Sequence, residues 1–288
     1  MTYTILITGM LEFDSGKTTV AKRVIQTIKE MGYSVIPYKP KSGHHYWFKY
    51  DHTKKCIDQK RLFSSDIDQL ETIAKSGIPY EIINPNHRLA VPARLQSPTE
   101  PFAMYNLFLT SWVSIFAIER YSLYKNNTIH NIFLYAKQPI ETGVTFLSDE
   151  ETDALLSNVN ELIVVDSIAQ LNSLFYRYYE ESIYSTFNYL KGKSDFLIIE
   201  SFNNLAWPFQ EINSVDLVLV VAPGHVFPYS GERFKKAIDY ISPDSSKIYT
   251  IKAQEAMSYL KSEIPLYLSP EANRKDELYK YIHKIIKR

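Results

Sequence analysis

Gly9-Met-Leu-Glu-Phe-Asp-Ser-Gly16-Lys17-Thr18-Thr19 is the stretch whose reading decides the fold. Tyr3 to Thr8, just before it, is a short β-branched run, and residues 17 to 30, just after it, place Val20, Val24, Ile25 and Ile28 at helical spacing. The order is therefore strand, glycine-flanked loop, helix, which is where backbone N–H groups and a helix dipole hold an anion. In such a phosphate loop Gly16 lets the backbone approach a phosphate, Lys17 reaches the β and γ oxygens as a point charge, and Thr18 offers its hydroxyl to Mg²⁺. Gly9, Glu12, Asp14, Ser15 and Thr19 complete the set of candidate cofactor-binding residues. Six residues separate Gly9 from Gly16, where the usual motif has four, so the loop is longer than standard.

Outward from the loop, Gly32 ends the helix, Ser34 to Tyr38 reads as a second strand and Lys39-Pro40-Lys41-Ser42-Gly43 as a turn. Asp66 to Ala74 looks helical, Pro79 to Pro101 is Pro-rich and irregular, and about Phe102 to Tyr124 reads as an apolar helix. Ile132–Ala136, Glu161–Val165, Phe196–Glu200, Val215–Val221 and Lys247–Ile251 are short apolar runs flanked by turns or helical stretches. That alternation predicts an α/β fold of three layers, a mostly parallel central sheet with helices on both faces. One domain over residues 1–288 is expected, with about 125–165 as the candidate insertion.

Lys and Arg balance Asp and Glu at 32 each, so no overall field draws the chain to nucleic acid or to an anionic membrane. Cys56 is the only cysteine, which excludes an internal disulfide and a cysteine-based zinc site. It also excludes glutamine-dependent amidotransfer within this chain, because Cys56 lies in a polar stretch without the thiol domain that chemistry needs. No apolar run approaches 18 residues and the start MTYTILITG carries no basic region or cleavage site, so the expected location is the cytoplasm.

A phosphate site needs carboxylates for the metal or its waters, at the ends of neighbouring strands. Glu200 ends the run Asp195-Phe-Leu-Ile-Ile199, and Asp66 follows Ser64-Ser65 at a helix start. The plainer readings are a solvated strand end for Glu200 and a helix cap for Asp66.

In four segments, taken in order, the chain resembles dethiobiotin synthetase and its relatives, the phosphate-loop class that includes the synthetase domains of cobyrinic acid amidation. These are the long loop ending in Gly16-Lys17-Thr18, the stretch Gly32-Tyr33…Tyr38-Lys39-Pro40-Lys41-Ser42-Gly43, Ser65-Asp66 at a helix start, and Ile199-Glu200-Ser201-Phe202-Asn203-Asn204 after a strand. The first loop is one residue longer than the family's and the second stretch one shorter. Ser201 to Asn204 stand where the family has small residues that let its loop approach a substrate carboxylate. The resemblance implies a Mg²⁺ site of Thr18, Asp66 and Glu200, and a catalytic Lys39 facing the substrate beside Lys17. Two ammonium groups there would stabilise charge on an anionic acceptor.

The guanine-reading N-K-x-D pattern is missing, which favours ATP, with GTP as the alternative, and Gln254 or Lys252 is the candidate contact to the base. Ser42 and Arg94 are the candidate substrate contacts, and Ser97–Pro101 lies close behind Arg94. His44 and His45 precede Tyr46-Trp47-Phe48, read as an aromatic loop near a substrate pocket in preference to a metal site. Phe175-Tyr-Arg-Tyr-Tyr179 has helical neighbours Leu171, Leu174, Ile183 and Phe187, a core or homodimer face. Two functions compete: a Mg-dependent enzyme that phosphorylates or ligates a small anionic or amine-derived acceptor, and a regulatory ATPase or GTPase switch acting on a protein partner.

Overall fold

The computed structural model describes residues 2–92, 94, 109–111, 114–137, 141, 145–210, 212–243, 248–261, 264–271 and 276–287. In chain order its elements are β1 (Tyr3–Gly9), α1 (Lys17–Glu30), β2 (Val35–Tyr38), β3 (Lys41–His45), α2 (Tyr50–Asp58), α3 (Ser65–Ala74), α4 (Tyr80–Ile83), β4 (Asn86–Pro92), β5 (Leu109–Ser111), β6 (Ser114–Lys125) and β7 (Thr128–Tyr135). There follow α5 (Asp149–Leu155), β8 (Glu161–Val164), α6 (Ile168–Leu190), β9 (Phe196–Glu200), β10 (Leu217–Ala222), β11 (His225–Ser230), α7 (Gly231–Ile241), α8 (Ala253–Ser258), β12 (Leu266–Tyr267) and α9 (Glu277–Ile286). The chain divides into two compact units, one of Met1–Lys41, Asp66–Pro79 and Phe187–Arg288, the other of Ser42–Ser65 and Tyr80–Thr186.

The first unit holds a sheet in the order β12-β11-β10-β1-β9-β2. Its four strands β10, β1, β9 and β2 run parallel, and β11 and β12 continue it antiparallel. Phe196 to Glu200 are all buried, as are Ile5 to Gly9, which is why these central strands read as unbroken apolar runs. α1 buries Val20, Ala21, Val24, Ile25, Thr27 and Ile28, a stripe at the 3.6-residue period. Each fully buried aliphatic side chain there contributes at most about 1.5–3 kcal/mol, so one charged residue in the stripe would undo most of the face.

The second unit is built on the order β3-β4-β6-β7-β8, with β5 paired to β6. β4, β5 and β7 lie antiparallel to β6, whereas β8 is parallel to β7. The protein is thus α/β with two mixed sheets, which corrects the single, mostly parallel sheet expected above. The runs at Ile132 and Glu161 belong to the second sheet, because their partners are β6 and each other and not β1 or β9. The candidate insertion at 125–165 lies within this second unit.

Other local readings change for the same reason. The stretch expected as an apolar helix from about 102 to 124 contains β5 and β6. Phe116 to Leu123 are all buried, so β6 shows no alternation, and its pairing on both sides overrides the helix-like length of the run. The Pro-rich 79–101 stretch holds α4 and β4, and the expected turn at 39–43 runs into β3. Residues 248–251 are no strand; Lys252 next to them makes an isolated bridge with Leu205. Ser97–Pro101 and Lys247 lie outside the described residues. In α6, Leu171, Tyr178, Tyr179, Ile183 and Phe187 are buried, while Tyr176 is exposed. No helix among the described residues is long and apolar enough to cross a membrane.

Candidate phosphate and metal site

The loop after β1 leaves the sheet with its last bond intact, Met10 N–H donating to Val221 O at 2.8 Å. It is closed by its own serine, since Ser15 Oγ accepts from Leu11 N–H (2.9 Å) and donates to Leu11 O (2.7 Å). Ser15 is buried, so its hydroxyl shapes the loop. A Cβ on Gly9 would lie 2.6 Å from Ser15 Oγ, 2.9 Å from Ser15 Cβ and 3.1 Å from Lys17 Nζ, so only glycine lets the loop fold back over the strand end. Gly16 sits at φ +86°, where any side chain is strained, and from that left-handed position the chain turns into α1. No side chain caps α1 and its first turn carries no acidic residue. Its leading N–H groups therefore have no side-chain acceptor, while the dipole favours an anion in front of them.

Two strand ends and a helix start supply the charged groups beside this loop. Glu200 closes β9, level with Ile7 of β1, Lys39 follows β2, and Asp66 is the second residue of α3. Lys39 Nζ donates to Asp66 Oδ2 and to Glu200 Oε1, both at 2.5 Å, and Thr18 Oγ1 donates to the same Glu200 oxygen at 3.0 Å. Lys39 and Glu200 are buried, whereas the Asp66 side chain is about a third exposed at 36%. Burial alone would lower the Lys39 pKa, but the charges of Glu200 and Asp66 outweigh it and raise it. Lys17 goes the other way: burial lowers its pKa, and Lys39 adds to the lowering against the pull of Glu200. Glu200 Oε2 is buried without a hydrogen-bond partner. Two carboxylates and a hydroxyl converge here; among the described residues no group of three or more His, Cys, Asp or Glu side chains is placed to hold a metal ion.

Beside the loop opens a pocket of about 310 Å³, walled by Asp14 to Gly16, Thr19, Arg23, Val221 to Gly224 and Leu268 to Pro270. Arg23 fixes one wall, donating to Asp276 Oδ2 (3.0 Å), Ser269 O (2.7 Å) and Pro270 O (3.3 Å). Sequence reasoning missed this wall. The signals present were weak ones, a Pro223-Gly224 turn after an apolar strand and an arginine on the polar side of α1. Gln254 is exposed on α8 and does not line the pocket; nor does Lys252, which precedes that helix. Glu12 is exposed and accepts a long hydrogen bond from Asn203 Nδ2 at 3.4 Å. Leu11 and Phe13 are exposed as well, at 44% and 69%.

Ser42 and Arg94, the candidate substrate contacts, belong to the second unit. Ser42 Oγ lies 2.5 Å from His87 Nδ1 and accepts from Asn84 Nδ2 at 2.8 Å. His87 Nε2 is 2.7 Å from His44 Nδ1, and His44 Nε2 is 3.1 Å from Thr53 Oγ1, which also lies 3.2 Å from Lys49 O and 3.4 Å from Tyr46 O. With both rings neutral the chain closes in either direction: Ser42 donates to His87 and the hydrogens run on to Thr53, or Thr53 donates to His44 and Ser42 passes its hydrogen to Asn84 Oδ1 or Asn86 O. Burial, followed by the neighbouring His52, His45 and Lys49, pushes His44 down to about 3. Arg94 is exposed with its guanidinium 5.2 Å from the Phe146 ring centre. Phe146, Tyr46, Trp47 and Tyr50 line a pocket of about 460 Å³ in this unit.

Compared with known proteins, the chain matches no family model, no curated protein and no solved structure.

Proposed function

We propose that the first unit is a phosphate-loop nucleotide site that binds ATP with Mg²⁺ and passes the terminal phosphoryl group to a small anionic or amine-derived acceptor. The observation that carries this reading is the uncapped start of α1, standing beside a buried hydroxyl–carboxylate–ammonium cluster at the ends of parallel strands. The resemblance to the dethiobiotin synthetase class in four ordered segments supports it, as does the pocket next to the loop, which is large enough for a ribose or a base.

The donor set fits the metal. Thr18 and Glu200 are already joined, Asp66 faces the same ammonium, and the second oxygen of Glu200 is buried with no protein partner. Oxygen ligands of this kind, completed by phosphates and water, suit Mg²⁺. When bound, the ion would neutralise charge developing on the transferred group. The protein's own part is positional. The α1 amides and Lys17 would hold the phosphate chain, and Arg23 would keep the pocket wall in place. Burial, with Lys39 beside it, lowers the pKa of Lys17 despite Glu200, Asp66 and Asp14, and a bound phosphate would favour its charged form.

The second reading, a switch read by a protein partner, is favoured by Leu11 and Phe13, two large apolar side chains exposed on the loop itself. One set of measurements separates the readings. MgATP should bind the wild type and bind Lys17→Ala at least about a hundredfold more weakly, by calorimetry, with the unfolding temperature unchanged. Equal binding by both proteins, or by neither, overturns the phosphate-site reading. ADP release stimulated by small acids, or by amines with bicarbonate, marks the enzyme; stimulation by a protein alone marks the switch.

A further inference from the structure

Lys39 follows β2 with its ammonium between two carboxylates, 2.5 Å from Asp66 Oδ2 and 2.5 Å from Glu200 Oε1. Its side chain is 6% exposed and that of Glu200 1%, so water screens little of this charge. Asp66 and Glu200 are also the two carboxylates of the proposed metal site, and the ammonium touches the oxygens a divalent cation would need. A magnesium ion sits about 2.0–2.1 Å from its oxygen ligands. Any ion placed on those oxygens would therefore lie within a few ångströms of a buried positive charge, and among the described residues no third carboxylate is placed to ligate it with them.

We propose that Lys39 is the resident counter-cation of this site: its ammonium holds Asp66 and Glu200 together in the nucleotide-free protein, keeps free divalent metal out, and gives up its place only when a triphosphate arrives. The inference rests on the nucleotide reading above and adds a rule for the order of binding. The phosphate chain brings several negative charges to α1 and Lys17, enough for both the metal and the displaced ammonium. Glu200 Oε2, buried and without a partner, is the ligand position left open while Lys39 holds Oε1. The nucleotide and the metal then enter as one unit, and Lys39 reaches the phosphates only after that entry.

The test uses Mn²⁺ as the probe, with free ion counted by electron paramagnetic resonance on the full chain. Wild type without nucleotide should bind Mn²⁺ weakly, and a non-hydrolysable ATP analogue should tighten that binding by about a hundredfold or more. Lys39→Met should bind Mn²⁺ alone at least about tenfold tighter than wild type, and adding Glu200→Gln should abolish the gain. If wild type and Lys39→Met bind Mn²⁺ alone equally well, the counter-cation role is wrong, even where the Mn²⁺–nucleotide complex binds normally. If wild type binds no nucleotide under any condition, the phosphate-site reading itself falls, and this inference with it. Should Lys39→Met fail to fold, the ammonium ¹⁵N resonance of Lys39 in wild type decides. It should hold still with Mg²⁺ alone and move with Mg²⁺ and ADP together, and a shift with Mg²⁺ alone overturns the proposal.

Discussion

Two polar clusters, the one around the loop after β1 in the first unit and the one running from Ser42 to Thr53 in the second, are arranged in opposite ways. In the first, α1 begins without a cap, Glu200 keeps a buried oxygen without a partner, and burial lowers the pKa of Lys17 against the pull of Glu200, Asp66 and Asp14. In the second, Ser42, His87, His44 and Thr53 form a chain in which every hydrogen has an acceptor. Fully buried Arg120 is held in the same manner, with Nε donating to Leu62 O at 2.9 Å and a terminal nitrogen to Asn84 O at 2.7 Å. Burial brings its pKa down to about 10 although Glu81 pulls upward. Unmet polar groups cost stability and are kept where a ligand completes them, whereas closed networks fix a fold. The contrast sets the proposed ligand site apart from a cluster whose hydrogen bonds end within the protein.

The largest effect that can break this contrast is acid unfolding. Unfolded His44 titrates near pH 6.5, while in the folded chain it stays neutral to about pH 3. Between those values the unfolded state binds the extra proton, so the stabilisation is complete above about pH 6.5 and is lost as the pH falls toward 3. Its size is roughly 4 kcal/mol. Urea unfolding from pH 7.5 to 3.5 should show this loss. His44→Leu should be less stable at pH 7.5 but less sensitive to acid, and an unchanged slope in that variant would mean the chain of histidines is not what acid attacks.

A smaller effect belongs to the loop. Gly9→Ala forces Ser15 and the Lys17 ammonium away, so nucleotide affinity should fall by about tenfold or more, with the unfolding temperature within a few degrees of wild type. Wild-type affinity in that variant would show that the loop can relax around a methyl group. The smallest effect is expected at Arg23. Arg23→Ala frees Ser269, Pro270 and Asp276 from their shared partner and should weaken binding of ATP about threefold while leaving inorganic triphosphate unaffected. Equal weakening of both would assign Arg23 to the phosphates.

The local sequence carried what depends on neighbours in the chain. Strand, glycine loop and helix over residues 3–30 could be read because β-branched residues, Gly16 and a 3.6-residue apolar stripe act within a few residues of one another. Glu200 and Asp66 could be chosen because one ends an apolar run and the other follows two serines at a helix start. The pocket wall was hidden because Arg23 meets Ser269 and Asp276 across some 250 positions, and no local pattern marks such a pair. Gln254 was chosen from its place after an expected strand, and that strand does not form.

Composition, charge balance, and the strand, glycine-flanked loop and helix over residues 3–30 were thus legible in the amino-acid sequence itself, through short-range geometry and burial pattern. Tertiary structure alone decided that the β-rich middle of the chain builds a second sheet. A run without strict alternation such as Phe116 to Leu123, in which Glu119, Arg120 and Ser122 interrupt the apolar residues, does not choose between helix and two-sided strand until β4 and β7 pair with it. Tertiary structure alone also set the ammonium of Lys39 on the carboxylates of Asp66 and Glu200. Those residues lie 27 and 161 positions away; the parallel pairing of β2 with β9 brings Lys39 to Glu200, and the start of α3 adds Asp66.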